Sequence, residues 1–449
     1  MTVDDTIEGQ RGSEGSALGR PAVDRLVVLD DDPTGVQTLA GIRVLLAWDA
    51  AKVVAALAGR PSVHLITNSR AHAPAAAGAV VAEAARLVVD SVPDAHIVLR
   101  GDSTLRGHLR EEYEAVRGVV APDSWPVLML VPALPSAGRV TRGGVHLIEH
   151  EGASIPLHET EYARDGVFSY GTARLLGWAE ERSAGLFAAA NGREIHLDEL
   201  RRGGASAVAE ALRELASSDC PAVLAPDAVT EDDLALIAEG YATAIRARVP
   251  VLVRCAPAFA GVLAGTTAPR FVASPRSGEG GVLLVCGSYV PGTTRQLAAL
   301  AATRFGTPIE VDAGALAGPE AEAEIARAAA AATAMLRRER FAAIATPRTR
   351  SEQTSSLAAG ERVAAGLARV AGLVEPRPRV VIAKGGITSA VTLQTGFGVD
   401  VAEVVGPVLP GVSLWQAEAR GRPLDYLVVP GNVGDDDLLV RLLDAVMGG

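Results

Sequence analysis

Short runs of aliphatic and β-branched residues alternate along the chain with longer Ala/Leu/Glu/Arg stretches whose apolar positions recur every three or four residues. Short apolar runs predict buried strands, the helical period predicts amphipathic helices, and their regular alternation predicts parallel sheets with crossover helices. In the first half this places strands at 26–29, 63–67, 96–99, 127–131, 222–225 and 250–254, and helices at 50–58, 75–89, 105–116 and 205–216. In the second half strands fall at 282–286, 308–311, 342–345, 380–383 and 426–429, and the Ala-rich stretch 320–341, free of Gly and Pro, predicts one long helix.

The segment 266–281, with Pro269 and Pro275 among glycines and serines, reads as a linker. The fold class is therefore α/β, with two domains built on mainly parallel sheets: a disordered tail at 1–20, an N-terminal domain at 21–265, the linker, and a C-terminal domain at 282–449. Ligand sites are expected at the carboxyl ends of the strands and in the cleft between the domains. Segment 132–182 breaks the βα rhythm; it is either an insertion that covers a site or an irregular connection, and both readings stay open.

Composition narrows the choice of partners. The chain has 449 residues, 49% hydrophobic and 21% charged, as expected of a soluble globular protein, with a net charge of −11 that argues against nucleic acid. No apolar run is long enough to cross a membrane, and the acidic N-terminus lacks the pattern of a signal peptide. Three scattered cysteines, Cys220, Cys255 and Cys286, fit a reducing cytoplasm. A homodimer is the assembly allowed for. Only Lys52 and Lys384 are lysines, so arginine carries almost all positive charge. Lys52 reads as an exposed helix residue, whereas Lys384, followed by two glycines, reads as functional.

Polar clusters follow the predicted strands. Asp30-Asp31-Asp32-Pro33-Thr34-Gly35 follows the first, Asn68-Ser69-Arg70 the second, Arg100-Gly101-Asp102-Ser103-Thr104-Leu105-Arg106-Gly107 the third, and Pro135 to Thr141, including Arg139, the fourth. Carboxylates that accept hydroxyl protons, mixed with arginines that pair with anions, suit a small polyhydroxylated acid. The plain alternative is helix capping by Asp30–Asp32 and a local ion pair between Asp102 and Arg106. In the second half, Gly287-Ser288, Lys384-Gly385-Gly386-Ile387-Thr388 and Gly431-Asn432-Val433-Gly434 each end a strand and precede a helix. Such glycine turns let backbone amides approach phosphates. There is no P-loop, GxGxxG turn, protein-kinase signature, HExxH or GxSxG motif.

With these motifs in view, the chain resembles the four-carbon acid sugar kinase family, which phosphorylates threonate, erythronate and 3-oxo-tetronate. The resemblance rests on Asp31-Asp32-Pro33-Thr34-Gly35, on the block from Asp102 to Gly107, on Gly138-Arg139 with Thr141, and on the three glycine turns. It implies a sugar-acid-binding N-terminal domain and an ATP-binding C-terminal domain. Asp31, Asp32, Asp102, Ser103, Arg106 and Arg139 would line the acid site, and Arg100, where the family usually has Lys, is a further substrate-binding candidate; Ser288, Gly385, Gly386, Ile387, Thr388 and Gly431 would hold the nucleotide. The activity implied is ATP-dependent transfer of a phosphoryl group to an alcohol, with ATP and Mg²⁺ as cofactors. Asp32, Asp102 and Lys384 are the catalytic candidates, and the metal ligands are unassigned. Rival readings are a non-catalytic sensor of a sugar acid or nucleotide, and an aldolase or dehydratase that needs no ATP.

Overall fold

The computed structural model describes residues 22–36, 39–150, 152–218, 220–266, 274–276, 280–349 and 356–448. The tail expected at 1–20 and most of the linker expected at 266–281 lie outside these residues. In the N-terminal half the strands are β1 (Leu26–Asp30), β2 (Ile42–Leu45), β3 (Ser62–Ile66), β4 (His96–Arg100), β5 (Val127–Val131), β6 (Arg139–Arg142), β7 (Val145–His150), β8 (Ala153–Pro156), β9 (Arg193–Ile195), β10 (Val223–Pro226) and β11 (Val251–Cys255). The C-terminal half adds β12 (Val282–Cys286), β13 (Ile309–Glu310), β14 (Phe341–Ala345), β15 (Val380–Lys384), β16 (Val401–Leu409), β17 (Val412–Ala419) and β18 (Arg422–Val429).

Each half contains a parallel array of the kind the alternating pattern predicts, in the order β2-β3-β1-β4-β11-β5-β10-β9 in the first and β13-β14-β12-β15-β18 in the second. Strands inside the arrays such as β1, β5, β12 and β15 are buried on both faces, which is why they read as continuous apolar runs. The two arrays are one sheet of 15 strands, joined through β16 and β17. Residues 401–404 of β16 pair antiparallel with β2, Val401 opposite Leu45 and Val404 opposite Ile42. Val36, Leu39, Ile42, Val44, Leu46 and Ile66 belong to a core otherwise built from the C-terminal half, including Leu283, Val381, Leu393 and Trp415.

This junction fixes the relative direction of the halves. Three antiparallel steps, β2 to β16, β16 to β17 and β17 to β18, separate the arrays, so their strands run in opposite directions. The carboxyl ends of one array therefore point against those of the other. The loops of the two arrays nevertheless meet, for the Gly386 turn lies beside Asp32.

Two sequence expectations change. The helix expected from 105 starts at Leu109, because Leu105 and Gly107 have φ of +64° and +124°, outside the right-handed helical region. Segment 132–182 contains a separate antiparallel sheet, β6-β7-β8, followed by short turns and the helix Leu175–Arg182. It packs against the loop after β4, which favours the insertion reading.

Candidate active site

β3, β1 and β4 are adjacent, so the loops after them converge. The loop after β5 stands one strand further away, because β11 lies between β4 and β5. After β3, Asn68 takes the left-handed conformation, φ +52°, and turns the chain so that the Arg70 amide donates to the Asp31 carbonyl at 3.4 Å. The Arg70 side chain then reaches three carboxylates: Asp32 at 2.9 Å, Asp102 at 3.2 Å and Asp31 at 3.4 Å. Arg70 is the hub of the site, and motif reading did not single it out.

The three carboxylates differ in environment. Asp31 is buried, and its Oδ2 has no hydrogen-bond partner. Burial pushes its carboxyl up to about 7, with Arg70 and Arg100 opposing. Asp32 is part-exposed; its Oδ1 accepts the Thr34 amide at 2.7 Å and the Thr34 hydroxyl. Burial raises it, but Arg70, Arg100 and Thr34 outweigh that and hold it below the ordinary value. Asp102 accepts Arg106 Nε at 2.6 Å and the Thr104 hydroxyl at 2.5 Å; Arg70, Arg106 and Thr104 likewise overcome its burial and keep it ionised. Thus the ion pair expected between Asp102 and Arg106 exists, within a wider network.

Arg100 sits beneath the site. It is buried, and its Nη1 donates to Asp30 at 2.8 Å, Asp31 at 2.9 Å and the Asp32 carbonyl at 3.3 Å. This guanidinium shapes the Asp30–Asp32 loop from inside. Arg254, also buried and paired with Glu112, underlies the next loop; a Cβ on Gly101 or Gly107 would lie 2.7 or 2.6 Å from its Nη2. Glu112 also accepts the Ser69 hydroxyl at 2.6 Å, tying the loops after β3 and β4 to one support.

The β6-β7-β8 insertion closes the other side. His146 is fully buried, and burial lowers its pKa to about 4, so it is neutral. Its Nε2 donates to the Ser103 carbonyl at 2.9 Å, leaving Nδ1 to accept the Thr141 hydroxyl at 3.0 Å. Tyr170 donates to the Thr104 carbonyl at 3.0 Å. Arg139 lies in the same sheet as His146. Its Nη1 donates to the Ala137 carbonyl, its Nε is unpartnered, and it has no carboxylate counter-ion among the described residues.

In the C-terminal half β12, β15 and β18 are neighbours, which brings their three glycine turns together. Gly385 has φ of +114°, a conformation that disfavours side chains. A Cβ on Gly431 would lie 2.6 Å from Ser288 Oγ, and one on Gly287 would strike the Thr388 hydroxyl. Thr293 donates to the Gly431 carbonyl at 3.1 Å, and Gln296 donates to the carbonyls of Val433, Gly434 and Asp435. Lys384 is fully buried, with Nζ donating to the carbonyls of Pro430 at 2.9 Å and Val433 at 3.1 Å; burial lowers its pKa to about 8. The ammonium fastens the last glycine turn. Ile387, by contrast, is 45% exposed beside Gly386.

The two halves touch at the site: a Cβ on Gly386 would lie 3.1 Å from Asp32 Oδ2. The turns fit a phosphate cradle, since side chains are excluded where they pack. No group of three His, Cys, Asp or Glu is placed to hold a metal ion among the described residues. No described helix is long and apolar enough to cross a membrane.

Two family models match the chain in succession. A model of a sugar-binding N-terminal domain matches residues 26–263, and one of a nucleotide-binding C-terminal domain matches 283–439. The chain is 34% identical over 266 residues to a D-erythronate kinase of Heliobacterium modesticaldum, a match spanning 58% of this chain and 55% of that protein. It is 26% identical over 443 residues to a D-threonate kinase of Salmonella typhimurium, covering 93% and 97% of the two chains. Among solved structures, a Haemophilus influenzae protein superposes with a TM-score of 0.62 at 18% identity over 94% of this chain and 99% of its own. A Salmonella typhimurium protein gives 0.67 at 18% identity over 93% and 98%; these likenesses establish the shared fold. With both domains matched in order along one chain, the protein belongs to the four-carbon acid sugar kinase family.

Proposed function

We propose that the protein is an ATP-dependent kinase that phosphorylates a hydroxyl of a four-carbon sugar acid. The observation that carries this reading is the approach of Asp32 Oδ2 to the Gly386 turn, which sets a carboxylate of the sugar-binding half against the phosphate cradle of the other. In-line transfer needs the acceptor oxygen and the terminal phosphoryl group held together, with their charge offset. Asp32 orients the acceptor hydroxyl and takes its proton as the new O–P bond forms. The bond from phosphorus to the bridging oxygen of the nucleotide breaks, and ADP leaves. The low proton affinity of Asp32 suits proton transfer late in the step, when the hydroxyl has become acidic. Asp102 and Ser103 shape the polyol side, and Arg106 and Arg139 face the acid group.

The amides of Gly385, Gly386, Ile387 and Thr388, with Ser288 and Gly431, hold the nucleotide. Lys384 acts through the Pro430–Val433 turn, as a positioning residue. Mg²⁺ would offset phosphate charge, held chiefly by the nucleotide's own oxygens and water, as such ions usually are in phosphate sites. A cytoplasmic location, where ATP is made, fits this chemistry.

The test is ADP formation over a panel of four-carbon sugar acids, with Asp32→Ala as control. Turnover with at least one acid, lost in the variant, is expected. Turnover unchanged in Asp32→Ala removes Asp32 from the mechanism, and no ADP with any acid overturns the reading.

A further inference from the structure

Arg106 lies between two carboxylates from different parts of the chain. Its Nε donates to Asp102 Oδ2 at 2.6 Å, within its own loop. Its Nη1 stands 3.6 Å from Oδ2 of Asp165, which belongs to the insertion. The Tyr162 ring covers the guanidinium at 5.5 Å. The contact with Asp165 is too long for a hydrogen bond, so Nη1 stays available to a ligand while its charge is partly offset.

Asp165 cannot easily withdraw. Its Oδ1 accepts the amides of Val167 at 2.9 Å and Phe168 at 3.0 Å. The loop behind it is fastened to the Arg106 loop by Tyr170 on the Thr104 carbonyl and by the edge contact of Phe168 with His108, 4.9 Å between centroids. Asp165 is thus a fixed negative charge at the rim, with one oxygen tied to backbone and the other turned toward Arg106. Both side chains are about a quarter exposed, so water screens the pair without abolishing it.

We propose that Asp165 is a specificity-determining residue: its fixed carboxylate weakens the grip of Arg106 on acid groups and selects against ligands that bring a second carboxylate. This rests on the reading that Arg106 faces the acid group of the substrate. A monocarboxylate can set its single acid group between Arg106 and Arg139, the latter without a carboxylate counter-ion among the described residues, and turn only hydroxyls toward Asp165. In this arrangement the second acid group of a four-carbon dicarboxylate comes toward Asp165. A like charge about 5 Å away, half-screened by water, weakens binding by roughly tenfold.

The decisive variant is Asp165→Asn. Its amide oxygen still accepts the Val167 and Phe168 amides, so the turn persists while the charge goes. Calorimetry with threonate, erythronate and tartrate should show tighter binding to the variant for all three. The gain should be largest for tartrate, about tenfold, and should shrink in 0.5 M salt as screening rises. Thermal melting of the two proteins checks that the variant is folded. If the variant binds the acids as wild type does, or more weakly, the assignment of Asp165 falls while the kinase reading stands. Asp165→Ala, which loses both charge and turn, separates the two effects: tighter binding there too supports the charge argument. If wild type binds none of the acids, the kinase reading and this assignment fail together.

Discussion

Replacing Arg70 by Met keeps the side-chain stem and removes the charge that three carboxylates share, at 2.9, 3.2 and 3.4 Å. At an effective dielectric of about 20, each contact near 3 Å is a gross attraction of about 5 kcal/mol, most of it offset by the cost of burying the ions. Removing one partner of such a buried network typically costs about 3–5 kcal/mol, because the others keep their desolvation penalty. That is a large part of ordinary domain stability. The pH dependence has a definite sign. Asp32 and Asp102 have folded pKa values below the unfolded ones, despite burial, with Arg70 the largest opposing influence. Their contribution is therefore complete above about pH 4 and is lost as pH falls through the folded values. Asp31 shifts the other way through burial, and losing Arg70 raises it further. Urea unfolding of wild type and Arg70→Met should differ by about 3–5 kcal/mol at pH 7, with the gap narrowing toward pH 3. Arg70→Lys should recover only part, since an ammonium cannot bridge three carboxylates as a planar fork does. A gap below about 1 kcal/mol at pH 7, the level of a surface ion pair, would refute the hub role.

Further outcomes follow from the same geometry. Lys384→Met should raise the KM for ATP about tenfold with kcat largely kept, because the side chain fastens a turn; a thousandfold fall in kcat would instead make its ammonium a phosphate counter-charge. Gly431→Ala places a methyl 2.6 Å from Ser288 Oγ and should weaken an ATP analogue at least tenfold in calorimetry, leaving sugar-acid binding intact. Tyr170→Phe removes the donor to the Thr104 carbonyl and should cost about 1 kcal/mol in urea unfolding while raising the KM for the acid and not for ATP.

The parallel arrays were legible because doubly buried strands such as β5 and β12 are unbroken apolar runs. The strands that join the halves were not. β2 has only four residues, and β16 alternates buried and half-buried positions with Gly406 and Pro407 inside it, so neither reads as a core strand. The Asp and glycine motifs were readable because several of them recur at strand ends within one half, although a single glycine turn after a strand is common in any α/β fold. Arg70 was not, since one arginine in a polar turn looks like any other until three carboxylates from two other loops converge on it. Lys384 stood out by rarity, but its direction depends on the Pro430–Val433 backbone, which lies far along the chain. The support from Arg254 and Glu112 was hidden for the same reason: their pairing spans 142 positions.

The antiparallel pairing of β2 with residues 401–404 also bears on how the protein is made. A ribosome delivers Ile42–Leu45 long before their partner exists, so the first half must wait with an open ladder and a bare apolar margin at Val36, Leu39 and Val44. Throughout that wait the nascent chain is vulnerable to sticking to its neighbours. A matching stretch from another copy would satisfy the same hydrogen bonds, so crowded synthesis favours exchange between chains.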